Sequence, residues 1–269
     1  MNDSPSILIA GFGTMTGAMV EGWLAAGMAA NTITACGPST KSVPPGMRFV
    51  TGVPDAVFDI VLLGMKPQKL AEAAPGLEPL VGARTVLVSV LAGVELASLA
   101  RHFPRAGGAV RLMPNLAAAL GKSPVALVAG GLDPAQRKRI TDLADMLGSA
   151  EWLADESQFD LVTALAGSGP GFVYRFIDAL AAGATRLGLE AAQAQRLAVQ
   201  MVEGAAALAA ASPHAPGELA RRVASPGGMT QKGLDVLDED EALVRLVTET
   251  LRAARDRGRE MALAARDEG

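Results

Sequence analysis

The sequence holds one cysteine, Cys36, and only two histidines, His102 and His214. A lone cysteine excludes an internal disulfide and suits a reducing compartment. One thiol and two histidines far apart cannot assemble a typical zinc site, so metal chemistry is not expected. Cationic residues are not in excess either: 24 Lys and Arg stand against 28 Asp and Glu. That balance argues against a nucleic-acid binder, because phosphate recognition needs a concentrated basic face. Apolar stretches stay shorter than the roughly eighteen residues a membrane helix needs, so no span is expected. The opening "MNDSPSILIA" has no basic region ahead of its short apolar run and does not read as a secretory signal. These absences fit a cytoplasmic protein without a nucleic-acid or membrane partner.

What is present is core material arranged with two different periods. Half of the 269 residues are hydrophobic, enough for a sizeable core and room for two modest domains. From residue 6 to about 154, β-rich runs alternate with helical stretches. The strand candidates are "ILIAG", "TITACG", "DIVLLGM", "TVLVSVLAG", "AVRLMPN", "PVALVAGG" and "AEWLA", with a weaker "MRFVTG" between the second and third. Continuous apolar runs suit strands buried on both faces, and the alternation favours a parallel sheet. Between them lie the helix candidates "TGAMVEGWLAAG", "PQKLAEAAPGL", "VELASLARHF" and "DPAQRKRITDLADMLG", the last with Asp133 as cap, Pro134 in the first turn and Gly148 at its end. After about residue 156 the β-rich runs vanish. One helix is expected from Ser168, as its cap, to near Gly188, a second over 189–212 and a third over 240–265. The expected division is 1–155, an α/β domain with a mostly parallel sheet, and 156–269, an all-α domain. The broad apolar faces of these helices call for burial against a second subunit. Trp23 and Trp152 read as packing, the two histidines as surface or loop, and "RKR" at 137–139 as a solvated face.

"ILIAGFGTMTGAMVEGW" reads as strand, glycine turn and helix. Gly11 permits the turn, Gly13 lets a ligand approach the backbone, and the helix starting near Thr14 aims its free N–H groups at the same spot, where a pyrophosphate fits. Phe12 and Met15 complete the turn. Thr16 stands where the usual fingerprint has its third glycine. After the second strand come Cys36-Gly37-Pro38-Ser39-Thr40-Lys41, without the carboxylate that binds an NAD ribose. The hydroxyls of Ser39 and Thr40 and the Lys41 cation suit a 2′-phosphate instead, so NADPH is favoured and NADH is the alternative.

One stretch interrupts the helical half: "ASPGGMTQKGLDVL", residues 224–237. A glycine inside a helix costs about 1 kcal/mol relative to alanine and a proline about 3, yet Ser225-Pro226-Gly227-Gly228 stand together and the helical pattern then resumes. Taken with "GFGTM", "GMKPQ", "RLMPN" and "GSGPGFVYRFIDAL", the segment "SPGGMTQKGL" resembles pyrroline-5-carboxylate reductase. The likeness runs in order over nearly the whole chain. It implies a Rossmann-type domain followed by a helical domain that intertwines with its partner in at least a homodimer, and reduction of the C=N bond of pyrroline-5-carboxylate by NAD(P)H to L-proline. On the matching positions, Ser225, Gly227, Gly228 and the amides around Met229 and Thr230 would hold the substrate carboxylate. The Thr230 hydroxyl would sit beside the ring nitrogen as the catalytic group. Met65 and Lys66, with Pro67 stopping the strand, would line the ribose–nicotinamide path. Ala92 and Gly93 would let the cofactor pass, and Asn115 would contact its nicotinamide end.

Three departures accompany the likeness. The connection after the second strand is short and carries two adjacent prolines, Leu116 follows Asn115 where the family has threonine, and Met229 occupies a position where a small residue is usual. The rival readings are a reductase of another cyclic imino acid, such as a pyrroline-2- or piperideine-carboxylate, a hydroxy-acid dehydrogenase, and a non-catalytic dinucleotide-binding scaffold. The dehydrogenase would place a lysine on a helix of the second half, and residues 156–212 contain none.

Overall fold

A computed structural model describes residues 5–267; residues 1–4, part of the N-terminal segment read above, lie outside the described residues. All eight expected strands form one sheet: β1 (Ile7–Ala10), β2 (Ile33–Gly37), β3 (Arg48–Thr51), β4 (Ile60–Leu63), β5 (Val86–Ser89), β6 (Gly108–Met113), β7 (Ser123–Gly130) and β8 (Gly148–Trp152). Their order is β3-β2-β1-β4-β5-β6-β7-β8. Every pairing is parallel except β6 with β7. Those two are joined by a short 3-10 helix, Leu116–Leu120, and a turn at Gly121, too few residues for the crossover a parallel pair requires.

The continuous apolar strands are buried on both faces. Ile7 and Ile9 pack with Met19 and Trp23 on one side of the sheet, Leu8 and Ala10 with Leu70, Leu99 and Phe103 on the other. Each such side chain contributes about 1.5–3 kcal/mol. The flanking helices are α1 (Thr14–Ala25), α2 (Leu70–Leu77), α3 (Leu96–His102) and α4 (Pro134–Asp145). Asp133 and Gln136 form a reciprocal capping box at α4. Gly148 does not end that helix: α4 stops at Asp145, and Gly148 opens β8. Both tryptophans pack as expected, donating their indole N–H to the Leu143 carbonyl and the Thr141 hydroxyl. Arg137 of the "RKR" run is more than solvated, since its guanidinium stacks 3.8 Å from the Trp152 ring centroid.

Cys36, at the end of β2, is a buried thiol whose pKa burial pushes up to about 11. The thiolate is the reactive form. Native protein at pH 8 is therefore expected to resist iodoacetamide and to be alkylated at once in denaturant. Rapid native labelling would contradict this burial.

The helical half begins earlier than Ser168. Asp155 caps a 3-10 turn (Glu156–Gln158) by accepting from the Ser157 N–H, and α5 (Phe159–Val162), a π-helical turn (Thr163–Gly167) and α6 (Gly169–Arg186) follow without a break. Ser168 is therefore no cap: its backbone is helical and its N–H bonds the Thr163 carbonyl at 2.9 Å. Next come α7 (Ala191–Ala211), capped by Glu190, α8 (Pro216–Val223), α9 (Met229–Asp238) and α10 (Ala242–Asp267). The cap N–H groups hold the Asp155 and Glu190 carboxyls below their ordinary pKa. This capping is complete at neutral pH and is lost as pH falls through the lowered values.

By packing, residues up to Ser168 with those from Ala253 onward form one compact unit, and Gly169–Arg252 form another. No helix among the described residues is long and apolar enough to cross a membrane.

Candidate active site

The strand order places the switch of direction between β1 and β4, and ligands of such sheets bind at the carboxyl ends of the strands beside that switch. Gly11 follows β1 there, with φ +93. A Cβ on it would stand 2.6 Å from the Met65 backbone nitrogen, in the loop after β4, so only glycine fits. Its N–H bonds the Cys36 carbonyl at 2.9 Å, joining the ends of β1 and β2. Gly13 is the N-cap of α1, and a Cβ there would meet no atom within 4 Å. That open space faces a helix start whose first-turn N–H groups, Thr14 to Thr16, have no intrahelical acceptor.

Other expected cofactor residues gather at the same edge. Lys41 donates from Nζ to the Phe12 carbonyl at 2.6 Å, which brings its cation onto the glycine turn. The Thr40 and Thr51 hydroxyls lie 3.2 Å apart, and Ser39 is exposed beside them. The segment from Pro38 to Met47 contains no helix and leads straight into β3. Met65 packs against the second core layer, Lys66 is exposed, and Pro67 opens a short 3-10 helix.

Two further expected residues make contacts within the protein. Gly93 is buried, and its missing Cβ makes room for the backbone of Met261 and Ala262 in α10, 3.1 Å from where that atom would stand. Ala92 beside it is half-buried. Asn115 is 5% exposed and uses both ends of its amide internally. Its Oδ1 accepts the Ala117 N–H and its Nδ2 donates to the Ala166 carbonyl of the π-turn, each at 2.9 Å. It clamps the loop after β6 to the π-turn.

The helix interruption lies in the second unit. Ser225 accepts the Gly228 N–H at 2.9 Å, closing a four-residue turn with Pro226 second and Gly227, φ +70, third. That is the residue pattern of a type II turn, whose third position needs positive φ. Gly228 then caps α9 in extended conformation, and its carbonyl accepts the Lys232 N–H at 3.2 Å. The N–H groups of Met229, Thr230 and Gln231 follow with no intrahelical acceptor. The turn from Ser225 to Gly227, Met229 and Thr230 are all exposed. The arrangement can hold a carboxylate on backbone amides alone.

The family model for pyrroline-5-carboxylate reductase dimerisation matches residues 156–261, and one for NADP oxidoreductase, coenzyme F420-dependent, matches residues 6–93. The pyrroline-5-carboxylate reductase of Pseudomonas aeruginosa is 33% identical over 96% of this chain and 97% of its own. The chain belongs to the pyrroline-5-carboxylate reductase family. A solved pyrroline-5-carboxylate reductase from Coxiella burnetii superposes with a TM-score of 0.87 at 26% identity, covering 97% of this chain and 99% of that one. The fold is also that of the Plasmodium falciparum pyrroline carboxylate reductase solved with NADP bound, with a TM-score of 0.82, 22% identity and coverage of 96% and 98%. Membership of this reductase family makes the helical region a dimerisation domain and the protein a homo-oligomer. Its exposed apolar side chains, among them Tyr174, Leu208 and Leu246, have the surface such a contact needs.

Sequence reasoning missed two features. Arg111, on β6, is buried and paired with Glu156 at 2.8 Å; a single arginine inside the apolar run "AVRLM" was the available signal. Thr16 was noted only as a missing glycine. Neither histidine lies at the site: His102 bonds the Ser98 carbonyl within α3, and His214 sits 3.3 Å from Glu218. Among the described residues, no cluster of histidine, cysteine and acidic side chains could hold a metal.

Proposed function

We propose that this chain carries out its family's reaction, the reduction of the pyrroline-5-carboxylate C=N bond to give L-proline, with NADPH as the preferred reductant and the turn at 225–230 as the substrate's anchor. The observation that carries the reading is the helix restart at Gly228, which leaves three successive amides without partners beside two glycines. A small carboxylate-bearing ring meets no side chain at Gly227 or Gly228, and it needs no arginine to neutralise its charge.

The Ser225 hydroxyl and the Met229 and Thr230 amides hold the carboxylate. The Thr230 hydroxyl orients the ring nitrogen and settles its charge as the amine forms. The substrate arrives largely as the iminium, or takes its proton from water, because no strong acid lies among these residues. The dinucleotide supplies the hydride when bound. The open space at Gly13 and the bare first turn of α1 fit its pyrophosphate, with Phe12, Thr14 and Met15 around it. Lys41, Thr40 and Ser39 suit a 2′-phosphate, and the absence of a carboxylate from Gly37 to Lys41 favours NADPH over NADH. The NADP bound to the Plasmodium relative supports the same choice.

As a functional division, residues 1–155 serve the dinucleotide and 156–269 serve dimerisation and substrate, which the start of the dimerisation match at residue 156 supports. At least a dimer forms through the helical half. The lone thiol suits a reducing cytoplasm.

Replacing Thr230 tests the assignment. Thr230→Ala is expected to lower kcat/KM for pyrroline-5-carboxylate by about 5- to 100-fold, the worth of one hydrogen bond to a charged centre. NADPH affinity should not change. Full kcat/KM in this variant would remove Thr230 from the chemistry.

A further inference from the structure

Thr16 stands where a dinucleotide fingerprint has its third glycine, and its side chain reaches in two directions. The Oγ1 accepts the Gly13 N–H at 2.9 Å. It also lies 3.3 Å from the Gly11 carbonyl and 3.2 Å from that of Gly13, either of which its proton can reach. The Cγ2 methyl lies against Gly64, where a Cβ would overlap it and the Gly11 carbonyl together. Thr16 is 1% exposed, so these contacts exclude water. One side chain thus braces the turn after β1 against the loop after β4. Gly11 meets the Met65 backbone across the same seam.

We infer that Thr16 is a positioning residue for the dinucleotide. Its hydroxyl ties down the Gly13 amide, so the turn is rigid before the ligand arrives and the Thr14 and Met15 amides are left to receive it. Its methyl packs on Gly64 of the facing loop. The inference rests on the NADP(H) reading above and adds a residue and a role that it does not contain.

The test uses full-length Thr16→Val, which keeps the shape and loses the hydroxyl, and Thr16→Ser, which keeps the hydroxyl. NADPH affinity is read by fluorescence titration, KM and kcat by steady-state kinetics, and stability by melting without cofactor. Thr16→Val is expected to weaken NADPH binding and raise its KM by about 5- to 20-fold, with kcat at saturating NADPH within about 2-fold of the parent. Thr16→Ser should restore KM. If Thr16→Val does not fold, Thr16→Ala gives the reading: it too loses the hydroxyl, and against Thr16→Ser it should raise KM for NADPH by the same factor. Unchanged NADPH affinity in Thr16→Val, even with a lower melting temperature, would make the residue purely structural and overturn the inference. So would a serine variant as weak as the valine one. A parent protein that binds no NADPH would overturn the functional reading along with it; a parent that binds and turns over, with variants that match it, would overturn the Thr16 role alone.

Discussion

Replacing Glu156 with alanine is expected to destabilise the chain by about 3 kcal/mol, within the range for breaking a buried ion pair. The Arg111 side chain is 4% exposed and its NH1 lies 2.8 Å from Glu156 Oε1. The same oxygen accepts the Leu96 N–H at the start of α3, also at 2.8 Å. Removing the carboxylate therefore leaves a buried cation and a helix-end amide without their acceptor. Asp160, 4.0 Å from Arg111 NH2, offers a longer ion pair that compensates in part. The Phe159 ring, 3.9 Å from the guanidinium, contributes only a weaker cation–π contact. Arg111 Nε has no hydrogen-bond partner already. Glu156 is partly solvated, with 29% of its side chain exposed, which keeps the expected cost at the lower end. At about 2–4 °C per kcal/mol for a chain of this size, the melting temperature should fall by roughly 6–12 °C. Replacing Arg111 and Glu156 together by leucines should recover part of that loss, because the buried cation is then gone and only the partly solvated Asp160 loses a longer partner. A fall of less than about 2 °C in Glu156→Ala would mean that water, rather than the carboxylate, satisfies Arg111.

The second large effect separates the two glycines of the first turn. Gly11→Ala forces an L side chain to φ +93 and drives its Cβ into the Met65 backbone. The left-handed backbone alone costs about 1–2 kcal/mol. A loop displaced by about 1 Å can cost on the order of 100-fold in rate. Both the apo melting temperature and kcat/KM with NADPH should therefore fall, the latter by about 100-fold. Gly13→Ala differs: its φ of −125 suits any residue and its Cβ meets nothing within 4 Å. The apo protein should melt as the parent does, while KM for NADPH rises, because the only thing the new methyl can strike is a ligand. If Gly13→Ala left KM for NADPH unchanged, no dinucleotide would approach α1 there.

Most of the fold could be read in advance because its determinants are local. Runs such as "IVLLGM" suit strands buried on both faces. Asp133-Pro134 announces a helix start, and Pro226-Gly227 announces a turn. The reading failed where a partner far away in sequence decides the outcome. Ser168 looked like a cap, but Asp155 had already started the helix and a π-turn carried it through. Gly93 and Asn115 also have partners that spacing along the chain does not reveal, Met261 and Ala262 in one case and the Ala166 carbonyl in the other. Thr16 belongs to the same class, since its meaning depends on Gly64.

The most direct measurement is the fate of reduced nicotinamide in the presence of the cyclic imine. Purified protein mixed with pyrroline-5-carboxylate should oxidise NADPH faster than NADH and form one proline for each NADPH consumed, and adding free proline carboxylate analogues should slow the reaction competitively with the imine. NADPH that binds but is never oxidised, whatever the imine concentration, would contradict the account and leave the break at Ser225–Gly228 as a bend between two helices.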